Sequence, residues 1–253
     1  MDQVLEEIKQ MAIEIVDQSR LPSFYNDYND LINQSKNFFN EDELIIKMRK
    51  DLFETLEDNF GHGYGHAKKV AIEAGVIFLV EMKRAGGQKK DGHYLSIAQT
   101  AGLLHDICRK EKDHAKKGAI YARSYLDGIF EDLKNIDSVV HAISNHEAFC
   151  DFYEEAPNFE ASVLSDSLYD SDKFRWGPDN FSHMLWAMLA HADISAAQFM
   201  SGYGRGINSL RKIKKTFRTH TGRKYGPEFI DIGIEIGTTL LSRIKNEIGL
   251  LQN

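Results

Sequence analysis

The stretch "IAQTAGLLHDICRK", residues 97–110, sets an apolar helical pattern against two adjacent polar groups, His105 and Asp106. Ile97, Ala101, Leu104 and Ile107 recur at helical spacing and point this segment at a core. The polar pair therefore arrives at a buried or semi-buried helix end. Burying an imidazole or a carboxylate without partners costs on the order of 2–7 kcal/mol for a polar group, and more for a charge. Either the pair satisfies a helix end locally, or it binds something that needs both groups. A bound cation would remove the cost.

The rest of the chain extends the helical reading. Val4, Leu5, Ile8, Met11, Ala12, Ile15 and Val16 form one apolar stripe. "NEDELIIKMRKDLFETLEDNFG" opens with Asn40 as an expected N-cap and Glu43 three positions on, with Gly61 as an expected stop. Further helices are predicted near 65–84, 94–109, 114–127, 135–146, 159–170, 180–199, 207–219 and 227–250, with Pro227 in the first turn of the last. No segment alternates as a strand, and no repeat or low-complexity linker interrupts the chain. An all-α bundle in a single domain, residues 1–253, is the expectation.

Composition narrows the function classes. With 42% hydrophobic and 27% charged residues, the 253-residue chain has the balance of a globular protein. The longest apolar run, "VAIEAGVIFLVEM" at 70–82, is interrupted by Glu73 and too short to span a bilayer. The acidic N-terminus lacks the basic start of a secretory signal, so no membrane association and a cytoplasmic location are expected. Cys108 and Cys150 show no metal or disulfide spacing. A net charge of −7 argues against nucleic acid as a general partner. The exception is segment 205–224, where Arg205, Arg211, Lys212, Lys214, Lys215, Arg218, Arg223 and Lys224 occur with no acid between them. That patch is read as a solvated helix face, with substrate phosphates or RNA as the sharper alternative.

Further candidate ligands stand near apolar stripes elsewhere: His66 in "GHGYGHAKKV", His114 in "DHAKKGAIYA", His146 in "AISNHEAF" and Asp172 in "LYDSDKFRWGPD". Imidazole and carboxylate donors without thiolate suit Mn, Fe, Co, Ni or Zn. Taken singly, each of these residues is as readily a locally hydrogen-bonded helix-end group. His62 is read as a loop residue, and His141, His183, His191 and His220 as satisfied core or surface histidines. Phe174 and Trp176 are read as core lids that could alternatively stack a base, Asp179 or Asn180 as a helix cap, and Lys68 and Lys69 as solvent-facing.

His66, the His105–Asp106 doublet and Asp172 in "DSDKF" together resemble the H…HD…D signature of the HD-domain superfamily, metal-dependent phosphohydrolases with a helical fold. The resemblance covers roughly residues 60–200, with an N-terminal helical extension at 1–58 and C-terminal helices at 205–253. It implies that His66, His105, Asp106 and Asp172 ligate one divalent metal. His114 and His146 look like the two extra histidines of binuclear members, in which case Asp106 bridges two ions. The HD-GYP cyclic-dinucleotide phosphodiesterases are a poorer match, since "HDICR" and "NHEAFCDFY" lack the GYP element. Arg109 occupies the place of that subfamily's lysine, which makes it the phosphate-contact candidate, with Lys173 and Arg175 as further substrate-binding candidates. The expected function is hydrolysis of a nucleotide or another small phosphate ester or anhydride, with Asp106 and Arg109 as catalytic candidates. A diiron oxygenase and a non-catalytic metal-containing ligand sensor are the alternatives. Nothing in the sequence excludes a homo-oligomer.

Overall fold

Hydrophobic periods of 3.6 residues become helices throughout. The structure, a computed structural model, describes residues 3–56, 63–150 and 154–248, and no strand occurs among them. Twelve α-helices follow in order: α1 (Gln3–Asp17), α2 (Ser23–Asp27), α3 (Asn29–Glu41), α4 (Glu43–Leu52), α5 (Tyr64–Arg84), α6 (Asp91–Leu104), α7 (His114–Leu126), α8 (Leu133–Ser144), α9 (Phe159–Phe174), α10 (Leu185–His191), α11 (Ala196–Ile213) and α12 (His220–Arg243). A π-helical turn, Asn180–Met184, leads into α10, and another, Ile244–Ile248, extends α12. The all-α class holds. No helix among the described residues is long and apolar enough to cross a membrane.

Helix α5 is the axis of the bundle. From Val70 to Leu79 every residue is buried, the pattern of a helix covered on all sides. It packs on α3, α6, α9 and α12. One core joins α3 to α9, with Phe39, Met48, Phe78, Leu104 and Leu168 among its buried residues. A second joins α1, α2 and α10–α12 to the far side of α5 and the end of α9, around Phe24, Phe174, Trp186 and Phe229. Among the described residues, α1 and α2 pack with the C-terminal helices, and α3 and α4 pack into the core that carries the histidines, with Ile32 of α3 reaching the other core.

Several local expectations are corrected. Asp42, not Asn40, caps α4, its carboxylate accepting from the Ile45 N–H at 3.1 Å, while Asn40 lies in the last turns of α3. The expected stop at Gly61 and the loop residue His62 lie outside the described residues. The 180–199 helix breaks after His191, where Asp193 takes a left-handed φ of 48°, and Ser195 opens α11 with a capping box. The span 207–219 belongs instead to the end of α11 and a turn at 214–219. Helix α12 starts at His220 behind the Thr219 cap, so Pro227 sits inside it rather than in its first turn. Asp179 makes no side-chain cap, pairing instead with Lys69 and Arg175. The reading of Phe174 as core holds: it is fully buried and stacked on Phe229 with ring centroids 4.1 Å apart, which leaves it unavailable to a base.

The basic segment disperses. Lys214 pairs with Asp231, Arg218 lies over the Tyr169 ring and donates to the Asn145 carbonyl, and Lys224 faces Asp27. Arg205, Arg211, Lys212, Lys215 and Arg223 are exposed.

Candidate metal centre

His66 stands in the first turn of α5, and His105 and Asp106 in the turn that ends α6. His114 opens α7, His146 follows the end of α8, and Asp172 lies in the last turn of α9. Packing of these five segments brings all six side chains together, and all six are buried. They form two groups capable of holding an ion: His66, His105 and Asp172, and Asp106, His114 and His146.

The Asp106 carboxylate links the groups. Its Oδ2 lies 3.3 Å from His105 Nε2 and 3.7 Å from His66 Nε2, and its Oδ1 lies 3.4 Å from both His114 Nε2 and His146 Nε2. In the first group, His66 Nε2 is 3.1 Å from His105 Nε2 and 3.2 Å from Asp172 Oδ1, which is in turn 3.7 Å from His105 Nε2. Donors held about 2.0–2.1 Å from a shared ion stand ~3.0 Å apart at octahedral angles and ~3.4 Å apart at tetrahedral ones. Two of the three pairs in the first group, at 3.1 and 3.2 Å, and both Asp106 pairs in the second, at 3.4 Å, fall in that range.

The surrounding contacts aim the ring nitrogens. His105 Nδ1 lies 2.8 Å from the Gly102 carbonyl and His146 Nδ1 2.6 Å from the Ile143 carbonyl, so each Nδ1–H donates to backbone. His114 Nδ1 lies 3.0 Å from Glu147 Oε1. These bonds leave Nε2 as the inward-facing atom, the arrangement that outer contacts impose on metal-ligating histidines. His146 Nε2 is buried without a hydrogen-bond partner, a cost of about 1–3 kcal/mol that coordination to a cation would remove.

Electrostatics point the same way. Burial opposes charge on His105, but the Asp106 and Asp172 carboxylates outweigh it and pull its pKa up to about 10. Burial alone would raise Asp106 and Asp172, yet His105 beside the former and Lys173 beside the latter hold both well below the usual carboxylate range. Burial pushes His146 down, favouring the neutral ring that a metal requires. The carboxylates thus favour positive charge in the pocket, and its buried nitrogen and oxygen atoms could hold a metal ion.

The cationic candidates separate. Arg109 Nη1 donates to His114 Nε2 at 2.9 Å and lies 3.7 Å from Asp106 Oδ1. Lys173 contacts Asp172 Oδ2 directly, with its ammonium 5.0 Å from the Tyr169 ring centroid. Arg175 is committed elsewhere, fully buried between Glu73 and Asp179. Tyr25 Oη donates to the same Glu73 at 2.7 Å. This ionic chain continues through Asp179 to Lys69, which is exposed to solvent as expected. A cavity of 240 Å³ opens beside His66, with Lys69, Arg175, Asp179 and His183 in its wall. Periodicity gave no sign of this network, apart from Glu73 standing as a charge within an apolar run.

His141 packs locally against Asn145, and His183, His191 and His220 are exposed. Compared with family models, with curated proteins and with solved structures, the chain matches none.

Proposed function

We propose that this chain is a metal-dependent hydrolase of small phosphate esters or anhydrides, of the HD-domain type, with His66, His105, Asp106 and Asp172 holding one cation and Asp106, His114 and His146 a second. The observation that carries the reading is the Asp106 carboxylate, whose two oxygens face two separate sets of buried imidazoles. Bound there, Mn, Fe, Co, Ni or Zn would supply Lewis acidity and lower the pKa of a water toward ~7.

The chain's own residues do the rest. The Gly102 and Ile143 carbonyls hold Nδ1–H of His105 and His146 so that Nε2 of each faces inward, and Glu147 does the same for His114. Hydrolysis adds water across a P–O bond and builds charge on the non-bridging oxygens. Arg109, at the edge of the second group, and Lys173, beside the first, are placed to stabilise that charge. The buried pairing of Arg175 supports a structural role for it rather than substrate contact.

Two cationic side chains beside the clusters favour an anionic substrate over dioxygen chemistry, although a bridged nitrogen–oxygen set also suits two irons. The test is elemental analysis of the purified chain, followed by phosphate release from nucleotides and sugar phosphates in Mn, Co, Ni and Fe buffers. Metal content with phosphate release supports the reading. Iron-dependent oxygen uptake without phosphate release replaces it with the oxygenase, and retained metal with neither activity replaces it with a sensor. If Asp106→Ala left both metal content and hydrolysis intact, the proposal would fall.

A further inference from the structure

The second group already has an occupant. Glu147 accepts from His114 Nδ1–H, which leaves His114 Nε2 as an acceptor, and the Arg109 guanidinium donates to that nitrogen at 2.9 Å. The same guanidinium nitrogen lies 3.7 Å from Asp106 Oδ1. Two of the three donor atoms of the second group thus face a positively charged side chain of the protein itself. The third, His146 Nε2, is buried, lies 3.4 Å from Asp106 Oδ1 and has no hydrogen-bond partner. A guanidinium reaches one side of this group only, whereas an ion at its centre would meet all three atoms. The first group differs, since its neighbour Lys173 contacts the outer oxygen of Asp172, Oδ2, and leaves Oδ1 to the histidines.

We propose that Arg109 is the resident cation of the second group and competes with the second metal ion for His114 and Asp106. Loading the first ion leaves Arg109 in place. Loading the second displaces it, and Arg109 has the freedom to move, because its side chain is 31% exposed while the Asp106 side chain is 2% exposed. The displaced guanidinium, five donors in a rigid fork, then becomes available to a substrate phosphate at the mouth of the site. Arg109 thereby sets how many ions the chain holds at a given metal concentration and couples the second ion to phosphate binding. The inference rests on the two-ion reading above but concerns ion occupancy rather than reaction.

The test is calorimetric titration of the chelator-stripped chain with Co2+ alone, with visible absorption recording each site as it fills. Wild type is expected to show two classes of site. Arg109→Ala should tighten the weaker class by ~10-fold to ~100-fold, the range expected on losing a competing charge-assisted hydrogen bond, and leave the tighter class unchanged. Arg109→Lys, which keeps the charge without the fork, should fall between them. Inorganic phosphate should tighten the second class in wild type but not in Arg109→Ala. The inference is overturned if Arg109→Ala leaves the second class unchanged or weakens it, or if only one class exists in both proteins. Binding of two Co2+ with no dependence on Arg109 would sink this inference and spare the hydrolase reading. Two classes of which the weaker depends on Arg109, without phosphate release in any metal buffer, would do the reverse.

Discussion

Gly102 of α6 lies so close to Ala71 of α5 that a Cβ built on it would stand 2.4 Å from the Ala71 Cα and 2.7 Å from its backbone nitrogen. The absent side chain lets the two helices meet, and those helices carry His66 on one side and His105 with Asp106 on the other. The Gly102 carbonyl also receives His105 Nδ1–H. Gly102→Ala is expected to cost about 1–3 kcal/mol through overpacking. It should also weaken the first metal class, because the helices must separate. Chemical denaturation and Co2+ titration of the variant measure both effects. Unchanged metal affinity would show that the close approach serves packing alone.

The ligand groups should be separable by mutation. Asp106→Asn is expected to abolish both classes of metal site, since each oxygen serves one group. Asp172→Asn should remove the tighter class and His146→Ala the weaker, each by more than ~100-fold, beyond what outer contacts contribute. Metal per chain after dialysis against a fixed free-metal buffer distinguishes the three. If Asp106→Asn removed only one class, the carboxylate would not bridge.

Metal removal should lower stability. A ligand that binds only the folded chain contributes about 2.7 kcal/mol at 100 times its dissociation constant. At about 2–4 °C per kcal/mol for a chain of this size, chelation is expected to lower the melting temperature by about 5–11 °C. Scanning calorimetry with and without chelator gives the shift. Asp106→Asn should melt at the same temperature in both conditions.

Glu147 orients His114 without entering the inner group. Glu147→Ala is expected to weaken the second metal class by ~10-fold to ~100-fold and leave the first unchanged. Glu147→Gln, whose amide oxygen still accepts from Nδ1–H, should lose less. Equal losses in the two variants would point to the carboxylate charge rather than its orienting bond.

The Glu73–Arg175 pair is fully enclosed, so removing one member strands a buried charge. Arg175→Met is expected to destabilise the fold by about 3–5 kcal/mol, and the Glu73→Gln, Arg175→Met double variant by less than the sum of the singles. Denaturant midpoints of the four proteins complete the cycle. Additive losses would mean the two side chains act independently.

Helical character was legible in the chain because it is local: the stripe from Val4 to Val16 states its own period. The six side chains that converge were singled out too, from residue type together with a family-like order. Positions that depend on what lies opposite were not. Asn40 looked like a cap until Asp42 took that place, and Arg175 looked like a phosphate ligand until Glu73 and Asp179 enclosed it. In each case the deciding partner is a neighbour whose geometry periodicity does not encode.

The sequence by itself determined an all-helical chain, with imidazoles and carboxylates placed where helices begin and end beside apolar stripes. Tertiary structure decided which of the described histidines meet. It also turned the two oxygens of Asp106 toward different groups and set Arg109 in one of them. The reason is range: a helix is specified by contacts three and four residues apart. Donor atoms a few ångströms apart on five segments are instead fixed by how closely whole helices pack, down to one missing methyl group at Gly102.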